Sequence, residues 1–333
     1  MNKSATTINY EIRPCKFVER RMFLASLSRI LGAVKQGKNY QYIGFGGCSF
    51  TDFKLFHREL QIDKMISIEG DDYSNSKLDY NKPFNCIDIR RGQSYEVLPK
   101  LDLSIPSIIW LDYDGVLRNY MFTDIETIFY TVPAGSIFIL SCNRELKRGN
   151  YAELDDTYDS KKNTERNQPL TPKELKAVFN DLVPYKIDKD ACSSEKSFDT
   201  IKTMLDKKIN CVLKDRFQSK GEVLNFELLY NIKYQEKGGA KMYTYGGFIY
   251  NETTNLKSVY INDFDFITKN NNDPVYTIDV PVLTHKEALL LNQYMFNEER
   301  EKIIIEKKIV SEKDLINYKK IYKYCPSFHD VRF

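Results

Sequence analysis

Three glycines in four positions, Gly44, Gly46 and Gly47, stand directly behind a short apolar run in "YIGFGGCSF" (42–50), in a chain with only 15 glycines among 333 residues. A glycine turn after a strand lets the backbone come close to a ligand, or it simply makes a tight turn. Glu69 follows Gly47 by 22 residues, at the end of a second apolar run. That is near the ~20-residue spacing at which an acid bonds ribose hydroxyls; the alternative is a solvated acid at a strand end. "LDYDG" (111–115) sets Asp112 and Asp114 on either side of Tyr113. Such carboxylates can take a proton from a hydroxyl or amine, or together hold a divalent cation. Alternatively, Asp112 orients an ammonium and Asp114 caps the next helix. "IRPCKFVERRM" (12–22) packs four cations and one acid at a helix start. It reads as a solvated face, or as a set in which Arg13, Lys16, Arg20 or Arg21 covers a pocket and binds an anionic substrate.

Other reactive residues are less informative. Cys48 sits inside the glycine turn, but no general base is placed beside it by sequence. His57 and Trp110 read as structural. Tyr243 and Tyr245 of "KMYTYGGF" either pack or lend themselves to a substrate pocket. The three histidines, 57, 285 and 329, have no metal-ligand spacing, so no resident metal is expected. Seven scattered cysteines without a CxxC pair fit reduced thiols in the cytoplasm rather than a disulfide framework. Net charge is +3, too small to argue for nucleic acid by itself. The polar start lacks the apolar core of a signal peptide, and no run reaches the ~18 apolar residues of a membrane span. The expected location is the cytoplasm.

The elements that must position these residues alternate. Residues 16–35 read as an amphipathic helix, with Gly37 as its stop. Strands at 41–45, 64–70, 84–89, 107–115 and 135–143 are separated by helices at 50–60, 93–101 and 120–132. Short apolar strands alternating with helices predict a parallel sheet covered on both faces. The alternation stops at 143. Residues 144–169 are polar and read as a loop or lid; 170–183 and 196–206 read as helices. Two β-rich segments around "EKGG" predict a hairpin over 225–250. The tail, 283–333, reads as two helices. The expected organisation is an N-terminal helical segment (1–39), a main domain (40–255) with an insertion at about 144–190, and a C-terminal helical extension (256–333).

Over roughly 9–145, through "NYEIRPCKFVERRM", "YIGFGGCSFTDFKLFHREL", "ISIEGD", "GQSYEVLP" and "WLDYDG", the chain resembles class I S-adenosylmethionine-dependent methyltransferases. More narrowly it resembles a group of bacterial proteins described as O-methyltransferases. The resemblance implies a Rossmann-like α/β fold, five parallel strands closed by the antiparallel hairpin in order 3-2-1-4-5-7-6. It implies S-adenosyl-L-methionine as cofactor. Gly44, Gly46 and Gly47 would pack on its methionine part and Glu69 would hold the ribose. Arg91, Gly92, Gln93 and Ser94 would approach the adenine, and Asp112, Tyr113 and Asp114 would face methionine and acceptor. Ser94 is equally readable as the cap of the next helix. Ser49 stands where a dinucleotide fingerprint has its third glycine, which disfavours NAD.

The leading expectation is methyl transfer to an oxygen or nitrogen of an unidentified acceptor. The acceptor is a small molecule, or a nucleic acid or protein if Arg13, Lys16, Arg20, Arg21, Arg90, Arg91 and Arg118 form an exposed stripe. A different class of reading is a non-catalytic scaffold or sensor in a multi-protein system. An NAD-dependent enzyme is a further rival on the same glycine turn.

Overall fold

The structure, a computed structural model, describes residues 13–34, 39–70, 73–151 and 166–326. The helix stop expected at Gly37, the greater part of the 144–169 loop, and His329 lie outside the described residues. In chain order the elements are α1 (Pro14–Val34), β1 (Gln41–Gly44), α2 (Thr51–Leu60), β2 (Lys64–Glu69), α3 (Asn75–Asn81), β3 (Ile87–Arg91), α4 (Ser94–Val97), β4 (Ser107–Val116), α5 (Asn119–Thr131) and β5 (Ile137–Asn143). There follow α6 (Pro172–Phe179), α7 (Ser197–Lys220), β6 (Asn225–Gln235), β7 (Lys241–Tyr250), β8 (Tyr276–Ile278), α8 (His285–Tyr294), α9 (Glu298–Glu306) and α10 (Glu312–Ile321).

The sheet runs β3-β2-β1-β4-β5-β7-β6-β8. Strands β1 to β5 are parallel, and β7 enters antiparallel between β5 and β6. This is the expected order with one strand added. β8 pairs parallel with Ile232, Lys233 and Tyr234 of β6, inside the stretch expected to be helical. Without it β6 would present unpaired backbone groups along an open edge. Three residues are too few to leave a periodic signal in the sequence.

Two further departures concern helix ends. The tail holds three helices rather than two: Phe296 takes a left-handed φ of 66°, and Asn297 caps α9 by accepting from the Arg300 amide at 3.1 Å. The helix expected at 196–206 continues to Lys220 and stops where Gly221 adopts a φ of 70°.

The core lies on both faces of the sheet because successive strand residues point to opposite sides. Ile108 and Trp110 of β4 pack with Phe23 of α1 and Phe53 of α2, whereas Ile109 and Leu111 pack with Ile125 of α5 and Met204 of α7. Helices α8 to α10 close around Leu291, Ile304 and Leu315.

One irregularity positions the site. Asp112 pairs with Ser141 and Val116 with Asn143, so four steps along β4 match two along β5. Residues 113–115 therefore bulge at the carboxyl end of the strand, a device that re-aims side chains near functional sites.

Candidate active site

Chain order reverses between β1 and β4: β2 and β3 lie to one side of β1, β4 and β5 to the other. Ligands of open parallel sheets bind at such a switch point, beyond the carboxyl ends of the strands. A cavity of about 650 Å³ opens there. Its walls are the turn after β1 (Phe45 to Ser49), Glu69 and Gly70 at the end of β2, Gly92 to Ser94 after β3, and Asp112 to Asp114 on β4. Tyr73 and Tyr120 add two aromatic rings.

Glu69 and the glycine turn form one unit. Glu69 Oε1 accepts from the Gly46 amide at 2.8 Å, the Gly47 amide at 3.1 Å and the Ser67 hydroxyl. Burial raises the Glu69 carboxyl above its ordinary range, and these donors pull it back. Gly47 has a φ of 55°, and an added Cβ there would meet nothing within 4 Å. Gly46 is the reverse case, since a Cβ would lie 2.6 Å from both Phe50 and the Ser67 hydroxyl oxygen.

Gln93 is the N-cap of α4, in a reciprocal capping pair with Glu96. Ser94 is thus the first helical residue and not the cap; its hydroxyl donates to Asp124 Oδ2 at 2.5 Å. The Tyr113 hydroxyl donates to the same oxygen. Burial, then the neighbouring Asp124, drives this phenol well above its ordinary range. Asp124 is pushed up to about 6 by burial, against the pull of its two hydroxyl donors.

Asp112, 9% exposed, is gripped from inside the protein by Lys16 Nζ, 2.7 Å from Oδ1. Asp114 is exposed, and α5 takes Arg118 rather than Asp114 as its N-cap.

Comparison with known proteins bears on what this cavity serves. A family model described as "Putative O-methyltransferase" matches residues 8–333. The chain belongs to that family. A search of curated protein sequences finds no match. Among solved structures, the chain is similar to the O-methyltransferase from Bacillus cereus in complex with SAH, at 9% identity over 73% of this chain and 85% of that one, TM-score 0.36. It is also similar to the O-methyltransferase TomG from Streptomyces achromogenes in complex with SAM (11% identity, 70% and 79% covered, TM-score 0.36). Spermidine synthase from Thermotoga maritima is similar at 10% identity, with 78% and 67% covered and a TM-score of 0.36.

In this O-methyltransferase family member, Gly46, Gly47, Glu69, Gln93, Ser94, Asp112, Tyr113 and Asp114 meet on the walls of one cavity. Gly44 does not line it. A Cβ at Gly44 would sit 2.6 Å from the Tyr42 hydroxyl oxygen and 3.0 Å from the Trp110 carbonyl, so this glycine serves strand packing. Arg13, Lys16 and Arg20 do not line it either. Lys16, Glu19 and Arg20 are buried, so this is no solvated face. Lys16 pairs with Asp112 and Glu19, Arg20 with Asp52, and Arg13 Nε lies 4.0 Å from Glu236. A cation drawn into the interior must find an acid there, which removes it from the surface set available to an anionic substrate.

The remaining candidates resolve as packing. Tyr243 and Tyr245 are buried and donate to Asn231 and Asp206. His57 Nδ1 lies 3.0 Å from the Ile62 carbonyl, and Trp110 Nε1 donates to Ser141. Cys48 lines the cavity, but burial raises its thiol, the opposite of an activated nucleophile. Among the described residues no three His, Cys, Asp or Glu side chains form a metal-holding group, and no helix is long and apolar enough to cross a membrane.

Sequence reasoning missed Ser67, Asp124 and Glu19. Ser67 had a signal: it stands two before Glu69 on a strand, hence on the same face. Asp124 had one too, as an acid three residues after Met121 and four before Ile128, inside the apolar stripe of α5.

Proposed function

We propose that the chain binds S-adenosylmethionine in the switch-point cavity and transfers its methyl group to an oxygen of a small acceptor. The observation that carries this reading is the Glu69 carboxylate, tethered by the Gly46 and Gly47 amides at the end of β2. A ribose diol needs acceptors, and a carboxylate offers them at this place in the fold. The donor set also discriminates. In a dinucleotide site the amides of the glycine turn face a pyrophosphate. Here those of Gly46 and Gly47 point at Glu69, which favours a nucleoside without phosphates over NAD.

S-adenosylmethionine supplies a methyl group on a sulfonium that a nucleophile displaces in line. Gly46 and Gly47 pack on the methionine part, and Glu69, Gln93 and Ser94 hold the adenosine end. Asp112 faces the ammonium of the methionine end. Asp114, exposed at the mouth, accepts the proton of the acceptor hydroxyl. The Tyr113 hydroxyl is committed to Asp124, so this residue contributes its ring as wall and not as acid or base. Catalysis is then chiefly positional. A nucleic-acid acceptor loses support because Lys16 and Arg20, two members of the proposed basic stripe, are buried.

The test is calorimetric titration of the full chain with S-adenosylmethionine, S-adenosylhomocysteine and NAD, followed by a labelled-methyl screen of hydroxylated acceptors. Glu69→Gln keeps an acceptor for the glycine amides and removes the charge. It is expected to weaken binding of the first two ligands roughly 10- to 100-fold, as for loss of a charged hydrogen bond. A folded wild-type chain that binds neither, or one that prefers NAD, overturns the reading.

A further inference from the structure

Lys16 belongs to no wall of the cavity, yet its charge reaches one. Its side chain is 0% exposed, threaded through the core between α1 and β4. Nζ lies 2.7 Å from Asp112 Oδ1, 2.8 Å from Glu19 Oε2 and 4.3 Å from the centroid of the Trp110 ring. A buried ammonium on a flexible stem stays put only when its surroundings fix it. Here they do. Glu19 accepts from the Thr244 hydroxyl of β7; Thr244 shares a 2.9 Å hydrogen bond with Ser141 of β5; Ser141 accepts from Trp110 Nε1 at 3.0 Å. The lysine is therefore anchored to three strands and a helix. Burial pushes the Glu19 carboxyl above its ordinary range, against the pull of the Lys16 ammonium and the Thr244 hydroxyl.

We propose that Lys16 is a positioning residue: by holding Asp112 through Oδ1 it fixes how that carboxylate meets the ammonium of the bound cofactor. This rests on the reading of the cavity as an S-adenosylmethionine site. Lys16 itself touches neither cofactor nor acceptor. Its effect is confined to ligands that carry an amino-acid end, because only that end reaches Asp112.

The experiment compares S-adenosylhomocysteine with 5′-methylthioadenosine, which keeps the nucleoside and thioether and lacks the amino-acid end. Both are titrated calorimetrically into the full chain. Lys16→Met is expected to weaken S-adenosylhomocysteine roughly 10- to 100-fold while methylthioadenosine stays within about twofold. Equal loss of both ligands, or no loss of either, overturns the positioning role. Because Lys16→Met leaves Asp112 and Glu19 without their cation, a second variant guards against misfolding. Lys16→Met with Asp112→Asn and Glu19→Gln removes the cation together with both of its acids, which folded proteins tolerate better than removing the cation alone. This triple variant is expected to bind S-adenosylhomocysteine as weakly as Asp112→Asn alone; a further tenfold loss overturns the inference. A wild-type chain that binds neither nucleoside defeats the cofactor reading, which is a separate result from a wild type that binds both and a Lys16 variant that does not discriminate.

Discussion

The buried carboxyl behind the cavity should make stability depend on pH in a way that one substitution removes. Asp124 of α5 accepts from Ser94 and Tyr113 through Oδ2, while Oδ1 is buried with no hydrogen-bond partner among the described residues. Burial lifts its pKa from an ordinary 3.8 to about 6. A folded-state pKa above the unfolded one means that the native state holds the proton more tightly. The contribution of Asp124 is therefore fully present below 3.8 and is lost as pH climbs through about 6. The whole shift is worth about 3 kcal/mol, and about 1.4 kcal/mol of it falls between pH 5 and pH 8. Asp124→Asn is neutral throughout this window, and its amide oxygen can still accept from both hydroxyls. Its amide hydrogens take the place of the partnerless Oδ1, a pH-independent penalty of about 1–3 kcal/mol. Urea unfolding of both proteins at several values between pH 5 and pH 8 separates the two effects. The variant should gain on the wild type by about 1.4 kcal/mol across the window, whatever its fixed offset. Stability profiles that stay parallel would refute a raised Asp124.

Two glycines have no room for a side chain. Gly46→Ala puts a Cβ 2.6 Å from buried Phe50 and from Ser67, so the turn that presents its amide to Glu69 must shift. S-adenosylhomocysteine affinity should fall by about tenfold or more, read by calorimetry, with far-ultraviolet circular dichroism unchanged. Gly247→Ala drives a Cβ into the Glu227 carbonyl oxygen across the β6–β7 ladder. It should destabilise the chain by about 1–3 kcal/mol or more in urea unfolding, and a loss below about 0.5 kcal/mol would show that the ladder gives way easily.

Much of this fold could be read before the structure, and the reason is locality. The strands from β1 to β5 are short apolar runs set off by helices, and each signal is contained within about ten residues. The glycine turn and Glu69 lie on consecutive strands, so their meeting follows from chain path alone. β8 was not readable, because three residues carry no period and its role exists only beside β6. Nor was the site behind the cavity. Lys16 meets Asp112 across 96 residues, and Thr244 meets Glu19 across 225. No spacing rule links such positions. Seen alone, "KFVERRM" looks like a solvated face, since lysine, glutamate and arginine are rarely buried unless paired. The pairing is what the sequence hides and the sheet supplies. Once α1 lies against β4, β6 and β7, Lys16 can leave water only because Asp112 and Glu19 are both within reach. The same argument runs in the other direction. Asp112 faces the cavity as an acid with a buried partner, and that partner comes from a helix that precedes the first strand. The N-terminal helix thus stands behind the site and acts on it only through Asp112, and its charges mark the place where a purely local reading had to fail.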